Sequence, residues 1–383
     1  MSQVTPKIAF LTNTCTHYRV GTYERLAQRY DVDFYFYSAG REWYWQQAHG
    51  AHAGHFRSIQ LAGVDVGGNR FVPDLPLRLL KGRYDAFLGS INGRFVLPIT
   101  YMIARLLRKP FVLWTGVWMR LDTRLHRAVF PLVRYIYTHA DAVVVYGEHV
   151  QRYLVSEGVA ADRIFIAGNA VDNSLYDQTV APEKLRALRE TLKIAEGERV
   201  VLYLGRIEDG KGLEYLLDAF AASSPADAVL VIAGAGSLLE ELRARAQRLG
   251  IDDRVRFPGY VPVAQAVEYY ALASVYVLPS VTTRVFKEPW GLVVNEAFCQ
   301  GVPVIATDAV GAAMGGLLRD GEQGLVVPER NAPALASALT QLLADEPLRR
   351  RMSAAARAAV AVWNQDRMAD GFAQAFAFAA VRR

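Results

Sequence analysis

Along this chain, short continuous runs of Val, Ile, Leu and Phe alternate with longer stretches in which apolar residues recur every three or four positions. The short runs read as strands buried on both faces, and the longer ones as helices laid against them. Strands are predicted in the first half over 7–12, 32–37, 84–89, 111–115, 142–146 and 164–167. The second half repeats the pattern over 200–204, 228–233, 255–258, 275–278, 304–306 and 325–327. Regular alternation of strand and helix makes an α/β protein, and near-continuous aliphatic strands make its sheets parallel. Two such series predict two Rossmann-like parallel-sheet domains. The polar, turn-rich stretch 169–180 reads as the hinge, ahead of a helix over 182–193. The domains are placed at 1–172 and 173–361, with a small, apolar helical segment over 362–383 that carries Phe372, Phe376 and Phe378.

Candidate chemistry lies in two blocks of the second half. In Glu288-Pro289-Trp290-Gly291-Leu292-Val293-Val294-Asn295-Glu296, two carboxylates stand eight positions apart around a predicted helix start. Leu292, Val293, Ala297 and Phe298 recur at helical spacing, and Gly301-Val302-Pro303 stops the run. The helix is expected to begin near Gly291, with Glu288 in the loop before it and Glu296 about a turn inside. The first N–H groups of a helix lack partners and favour an anion such as phosphate. No neutralising partner is expected for either acid. Upstream, the strand 200–204 ends in Gly205-Arg206-Ile207-Glu208-Asp209-Gly210-Lys211-Gly212 and a helical stretch follows. Arg206 and Lys211 therefore stand at the carboxyl end of a strand, where open α/β sheets bind ligands. An Arg fork and a Lys point charge both suit phosphate oxygens.

Together these blocks resemble the retaining family-4 glycosyltransferases of the GT-B fold, two Rossmann-like domains facing a cleft. The resemblance is specific over 199–330 and includes Pro279-Ser280, Gly301-Val302-Pro303-Val304-Ile305-Ala306-Thr307-Asp308 and Gly321 with Gly324. It is weaker in the N-terminal half, where the opening Asn13, Tyr18-Arg19-Val20 looks like a subgroup lacking the long glycine-rich first loop. The resemblance implies transfer of a sugar from a nucleotide diphosphate donor to a saccharide hydroxyl, with retained configuration and without a metal. Arg206 and Lys211, with the helix start at Gly291, Leu292 and Val293, would stabilise charge on the leaving diphosphate. Glu288 would lie by the sugar ring and Glu296 by the ribose. Gly205, Gly234, Gly236, Trp290 and, toward the base, Tyr260 would complete the donor site. The C-terminal helix would cross back to the first domain.

Composition narrows the picture further. Of 383 residues, 52% are hydrophobic and 21% charged, the balance of a globular chain. The two cysteines, Cys15 and Cys299, have no framework spacing and point to a reducing compartment. No signal pattern opens the chain and no apolar run reaches the ~18 residues of a membrane span. A cytoplasmic protein is expected, either free or peripheral at the inner face of the plasma membrane.

Competing motifs are weaker. Gly205 to Lys211 approaches an ATPase phosphate loop, but Gly212 stands where a magnesium-holding Ser or Thr belongs. Gly234-Ala235-Gly236 lacks the third glycine of a dinucleotide fingerprint and reads as a tight turn lining the donor site. His49, His52 and His55 sit three apart in a small, polar segment without further ligands, so no metal is assigned. His17 and Arg19 follow the first strand and are candidates on the acceptor side, with a rim position as the alternative. Many relatives place a histidine after the strand equivalent to 111–115; this chain reads Trp114-Thr115-Gly116-Val117-Trp118 instead. Thr115, Gly116 and Trp118 are therefore the expected sugar contacts. A paired-carboxylate glycosidase leaves the Arg206/Lys211 anion site unexplained. A GT-B sugar-nucleotide epimerase and a non-catalytic sugar-nucleotide sensor remain the alternatives.

The chain carries a formal net charge of +5. Residues 101–135 hold Arg105, Arg108, Lys109, Arg120, Arg124, Arg127 and Arg134 against the single acid Asp122, interleaved with Phe111, Trp114, Trp118, Phe130 and Tyr135. An anionic membrane attracts such a stretch, which would make the acceptor a lipid-linked (polyprenyl-diphosphate) saccharide of a surface polysaccharide pathway. The alternative is core aromatics beside a solvated arginine face. No nucleic-acid module is visible.

Overall fold

The computed structural model describes residues 5–38, 54–66, 69–223 and 227–381, which divide into two compact units. One comprises Met1–Val171 with Asn364–Arg383, and the other Asp172–Trp363.

The first unit is built on a seven-stranded sheet. Its strands are β1 (Lys7–Thr12), β2 (Asp31–Phe36), β3 (Ser58–Gln60), β6 (Ala86–Ser90), β7 (Phe111–Thr115), β8 (Ala142–Val145) and β9 (Ile164–Ile166). A short antiparallel pair, β4 (Val64–Val66) and β5 (Asn69–Phe71), stands apart. The order across the sheet is β3-β2-β1-β6-β7-β8-β9, with every pairing parallel. Parallel pairing requires crossovers, whose helices cover both faces. This is why β7 and β8 are buried along their whole length. The C-terminal helix Gln365–Val381 packs on this sheet. Its Phe372 ring lies 5.6 Å from Phe10 and 5.3 Å from Trp114, and Arg25 pairs with Asp366 at 2.6 Å. Gly371 permits that approach, since a Cβ there would stand 2.6 Å from the Ile166 carbonyl oxygen.

The second unit carries β10 (Arg199–Leu204), β11 (Ala228–Ala233), β12 (Val255–Gly259), β13 (Val275–Leu278), β14 (Val304–Thr307) and β15 (Gly324–Val327). Their order is β12-β11-β10-β13-β14-β15, again all parallel. In each sheet the chain order reverses once, between β1 and β6 and between β10 and β13. The loops leaving the carboxyl ends of strands at such a switch diverge and leave a crevice for ligands.

Candidate active site

The β10/β13 switch holds the charged residues singled out in the second half. The loop leaving β10 delivers Lys211, and the one leaving β13 delivers Ser280 and Glu288. The Lys211 ammonium pairs with the Glu288 carboxylate. Both residues are more than nine-tenths buried, at 9% and 8% exposure. The Ser280 hydroxyl donates to the same carboxylate oxygen at 3.2 Å, and the Phe286 ring lies 5.0 Å from the ammonium. Glu288 thus has a neutralising partner, contrary to the expectation that neither acid has one. The partner is 77 positions away and arrives only because β10 and β13 are neighbours. Arg206 stands on the same loop with its side chain exposed, and its carbonyl accepts the Tyr203 hydroxyl at 2.6 Å.

The turn that carries Lys211 is tightly fitted. Gly212 has φ +65°, and a Cβ there would come 2.0 Å from the Pro279 carbonyl oxygen. Any larger residue would push the β10 and β13 loops apart. Gly234 and Gly236 do the same for the neighbouring loops. Cβ atoms on them would stand 1.8 Å from the Gly205 oxygen and 2.0 Å from the Ile207 oxygen. The Gly234 N–H donates to the Gly259 carbonyl at 2.8 Å, so the loops after β10, β11 and β12 form one meshed floor. Tyr260 follows on that floor, half exposed.

The helix after Glu288 spans Val293–Cys299, so it begins two residues later than expected, and Gly301 at φ +67° ends its run. Gly291, at φ +88°, belongs to the preceding turn, where a Cβ would press on Leu278. Glu296 consequently lies in the first helical turn. Its carboxylate accepts the Tyr270 hydroxyl at 2.7 Å. Burial pushes its pKa up to about 7, against the lowering effect of hydrogen bonds from Tyr270 and Tyr176. Neither tyrosine was foreseen; both come from distant helices and carry no spacing signal.

The Trp290 side chain, expected at the donor, is enclosed in the core. It is 1% exposed and stacked on Trp363 at 5.3 Å, and its indole N–H donates to the Asn295 carbonyl oxygen at 2.9 Å. A large apolar ring between two such partners holds the loop from inside the core.

In the first unit, Arg19 is also enclosed. It is 4% exposed, donates to Met368 Sδ at 2.9 Å and Tyr146 OH at 3.3 Å, and lies about 5.1 Å from the rings of Tyr18 and Trp114. Aromatic faces stabilise the buried guanidinium by cation–π attraction, so it is not presented to a phosphate. His17 is half-buried with its pKa lowered by burial. Thr115 is buried, its hydroxyl accepting the Val117 N–H at 3.1 Å, and Gly116 is buried against the Tyr146 ring. The Thr115 side chain thus fixes its own turn. Trp118 is half-buried, edge-on to His149 at 4.8 Å. Among the described residues, no group of three or more His, Cys, Asp and Glu is placed to hold a metal ion; His49 and His52 lie outside them.

The family model for glycosyl transferases group 1 matches residues 186–359. A D-inositol 3-phosphate glycosyltransferase of Nocardia farcinica is 32% identical over 64% of this chain and 54% of its own length. A phosphatidyl-myo-inositol mannosyltransferase of Mycobacterium leprae is 38% identical over 42% of each chain. The chain thus spans about half the length of the curated relatives it matches. The crystal structure of Anabaena Alr3699/HepE in complex with UDP aligns with TM-score 0.78 over 96% of this chain and 98% of that one, at 20% identity. That likeness speaks to the fold, which is GT-B. Residues 186–359 of this chain are thus similar to the glycosyl transferases group 1 family.

Proposed function

We propose that this protein is a retaining, metal-independent glycosyltransferase that moves a sugar from a nucleotide diphosphate donor to a saccharide hydroxyl. The observation that carries the reading is the buried Lys211–Glu288 pair, set at the sheet switch inside the stretch matched by the family model. Lys211 and exposed Arg206, with the backbone N–H groups of Gly291, Leu292 and Val293, would bind the diphosphate. Fixed positive charge on the leaving group is then supplied by the chain itself. When the diphosphate draws the Lys211 ammonium toward itself, Glu288 becomes available to the hydroxyls and polarised anomeric carbon of the sugar. Glu296 would accept from the ribose hydroxyls, with Tyr260 near the base.

The acceptor would be a saccharide, polyprenyl-diphosphate-linked, met at the inner face of the plasma membrane. Among the described residues no helix is long and apolar enough to cross a membrane. The two relatives are named for phosphorylated inositol acceptors, so these belong in an acceptor panel. UDP-sugars lead the donor panel, because the Anabaena protein is described with UDP and UDP-glucose.

The test is release of nucleoside diphosphate from each donor, with and without acceptor. Acceptor-dependent release with formation of an α-linked product from an α-linked donor is expected. Conversion of a donor to its epimer without any acceptor would overturn the assignment in favour of an epimerase, and binding without turnover in favour of a sensor.

A further inference from the structure

The first unit contains a cavity of about 350 Å³, within the roughly 300–1,000 Å³ usual for small-molecule sites. It lies off the carboxyl ends of β6 and β7, beside the β1/β6 switch, and is closed by the helix Arg124–His139. Most of its wall is apolar, made by Leu97, Val117, Met119, Val129, Val133 and Ile136, with the polar side chains of Asn92, Tyr137 and Tyr153 set among them. Leu132 lines the cavity yet is 49% exposed, so the space reaches the surface along the helix.

Cationic groups border the same space. Arg94 and Arg120 line it, together with His126. Arg120 is held by Glu157 through two hydrogen bonds of 2.7 and 2.8 Å. Arg94 is exposed and, among the described residues, forms no ion pair; it stands close enough to His126 to help lower that group's pKa, behind the larger effect of burial. An apolar interior beside an uncompensated guanidinium is complementary to an amphiphile whose apolar chain ends in an anion.

We propose that this cavity holds the apolar tail of an anionic lipid phosphate, with the phosphate or diphosphate at Arg94. The volume accommodates roughly a dozen heavy atoms at about 30 Å³ each, and a longer tail leaves over Leu132. As the lipid end of the acceptor, this site rests on the glycosyltransferase reading; as a lipid-phosphate site it stands alone.

The experiment titrates the full chain with farnesyl diphosphate in the presence of saturating UDP, which occupies the diphosphate site of the second unit. Binding is expected to persist, to exceed that of inorganic diphosphate at least tenfold, and to fall at least tenfold in Val133→Trp and in Arg94→Glu. UDP affinity should be unchanged in both. Arg94 is exposed, so the charge reversal remains informative if the larger ring prevents folding. Absence of binding, displacement by UDP, equal binding of inorganic diphosphate, or wild-type affinity in every folded variant would each overturn the proposal. Lipid binding without turnover of any nucleotide sugar would retain the site and remove the glycosyltransferase reading instead.

Discussion

Lys211 and Glu288 lie 77 positions apart and form a buried ion pair where the second sheet reverses its strand order. The pair has two consequences that can be separated. Removing one partner leaves a buried charge uncompensated, which typically costs about 3–5 kcal/mol. Lys211→Ala should therefore lower the melting temperature as well as the turnover, rather than turnover alone. The double variant Lys211→Ala/Glu288→Gln should recover most of the stability and none of the activity. Glu288→Gln alone should spare binding of the bare nucleoside diphosphate. Thermal melts and steady-state kinetics on the three variants decide this. A double variant no more stable than Lys211→Ala would mean that the two groups are not energetically coupled.

Glu296 links the site to pH. Burial raises its pKa from 4.5 to about 7, so the folded protein holds this proton more tightly than the unfolded chain does. The stability this group contributes is present below pH 4.5 and is lost as pH rises through about 7. Glu296→Gln should flatten that decline and melt higher than wild type above pH 7. Nucleotide affinity should run the other way, because ribose hydroxyls donate to the ionised carboxylate. It should tighten through pH 7 in wild type and stay level in Glu296→Gln. Calorimetry on both sides of neutrality reads both trends, and a wild-type affinity independent of pH would remove Glu296 from the ribose site.

Each apolar run read as a strand falls on a strand, because both faces of these sheets are covered and most of the strand residues are apolar and buried. β3 escaped notice for the opposite reason: its three residues form an edge strand, exposed at both ends, with no apolar signature. Arg206, Lys211, Glu288 and Glu296 could be singled out as candidates because strand ends and helix starts are local features. The ion pair, the Tyr270 contact and the Phe286 ring could not, since each depends on which strands are neighbours. Trp290 and Arg19 show the same limit from another side. Residue type suggested ligand contact, whereas tertiary packing enclosed one in a ring stack and the other in an aromatic cage.

The basic stretch 101–135 is altered by its partners. Arg105, Lys109, Arg120, Arg127 and Arg134 each face a carboxylate, and Phe111 and Trp114 are core. Arg108 and Arg124 remain exposed and, among the described residues, form no ion pair. At about 1 kcal/mol per basic residue near an anionic surface, charge alone supplies little attraction. On the membrane reading, exposed Leu106 (71%) and Leu125 (50%) would supply the apolar contribution. Leu106→Ser/Leu125→Ser should therefore reduce co-sedimentation with anionic vesicles more than Arg108→Ala does, and salt should weaken binding without abolishing it. Vesicle binding that is identical in all three proteins would exclude these residues as the contact.

Trp290 provides the sharpest contrast between support and contact. Its ring is stacked on Trp363 at an interplanar angle of 21°, and its carbonyl accepts the Ala312 N–H at 2.7 Å, so ring and backbone both pin the loop that follows Glu288. Trp290→Ala opens a large void and should cost about 3–5 kcal/mol. Trp290→Phe keeps most of the stacked area and loses the hydrogen bond to Asn295, which should cost about 1–3 kcal/mol because the amide oxygen is buried. If the indole only supports the loop, the folded Trp290→Phe protein binds nucleoside diphosphate as tightly as wild type while melting several degrees lower. If it also touches the donor, affinity falls about tenfold or more in addition to that loss of stability. The packing around the ring, closed on both faces and satisfied at its N–H, predicts the first outcome.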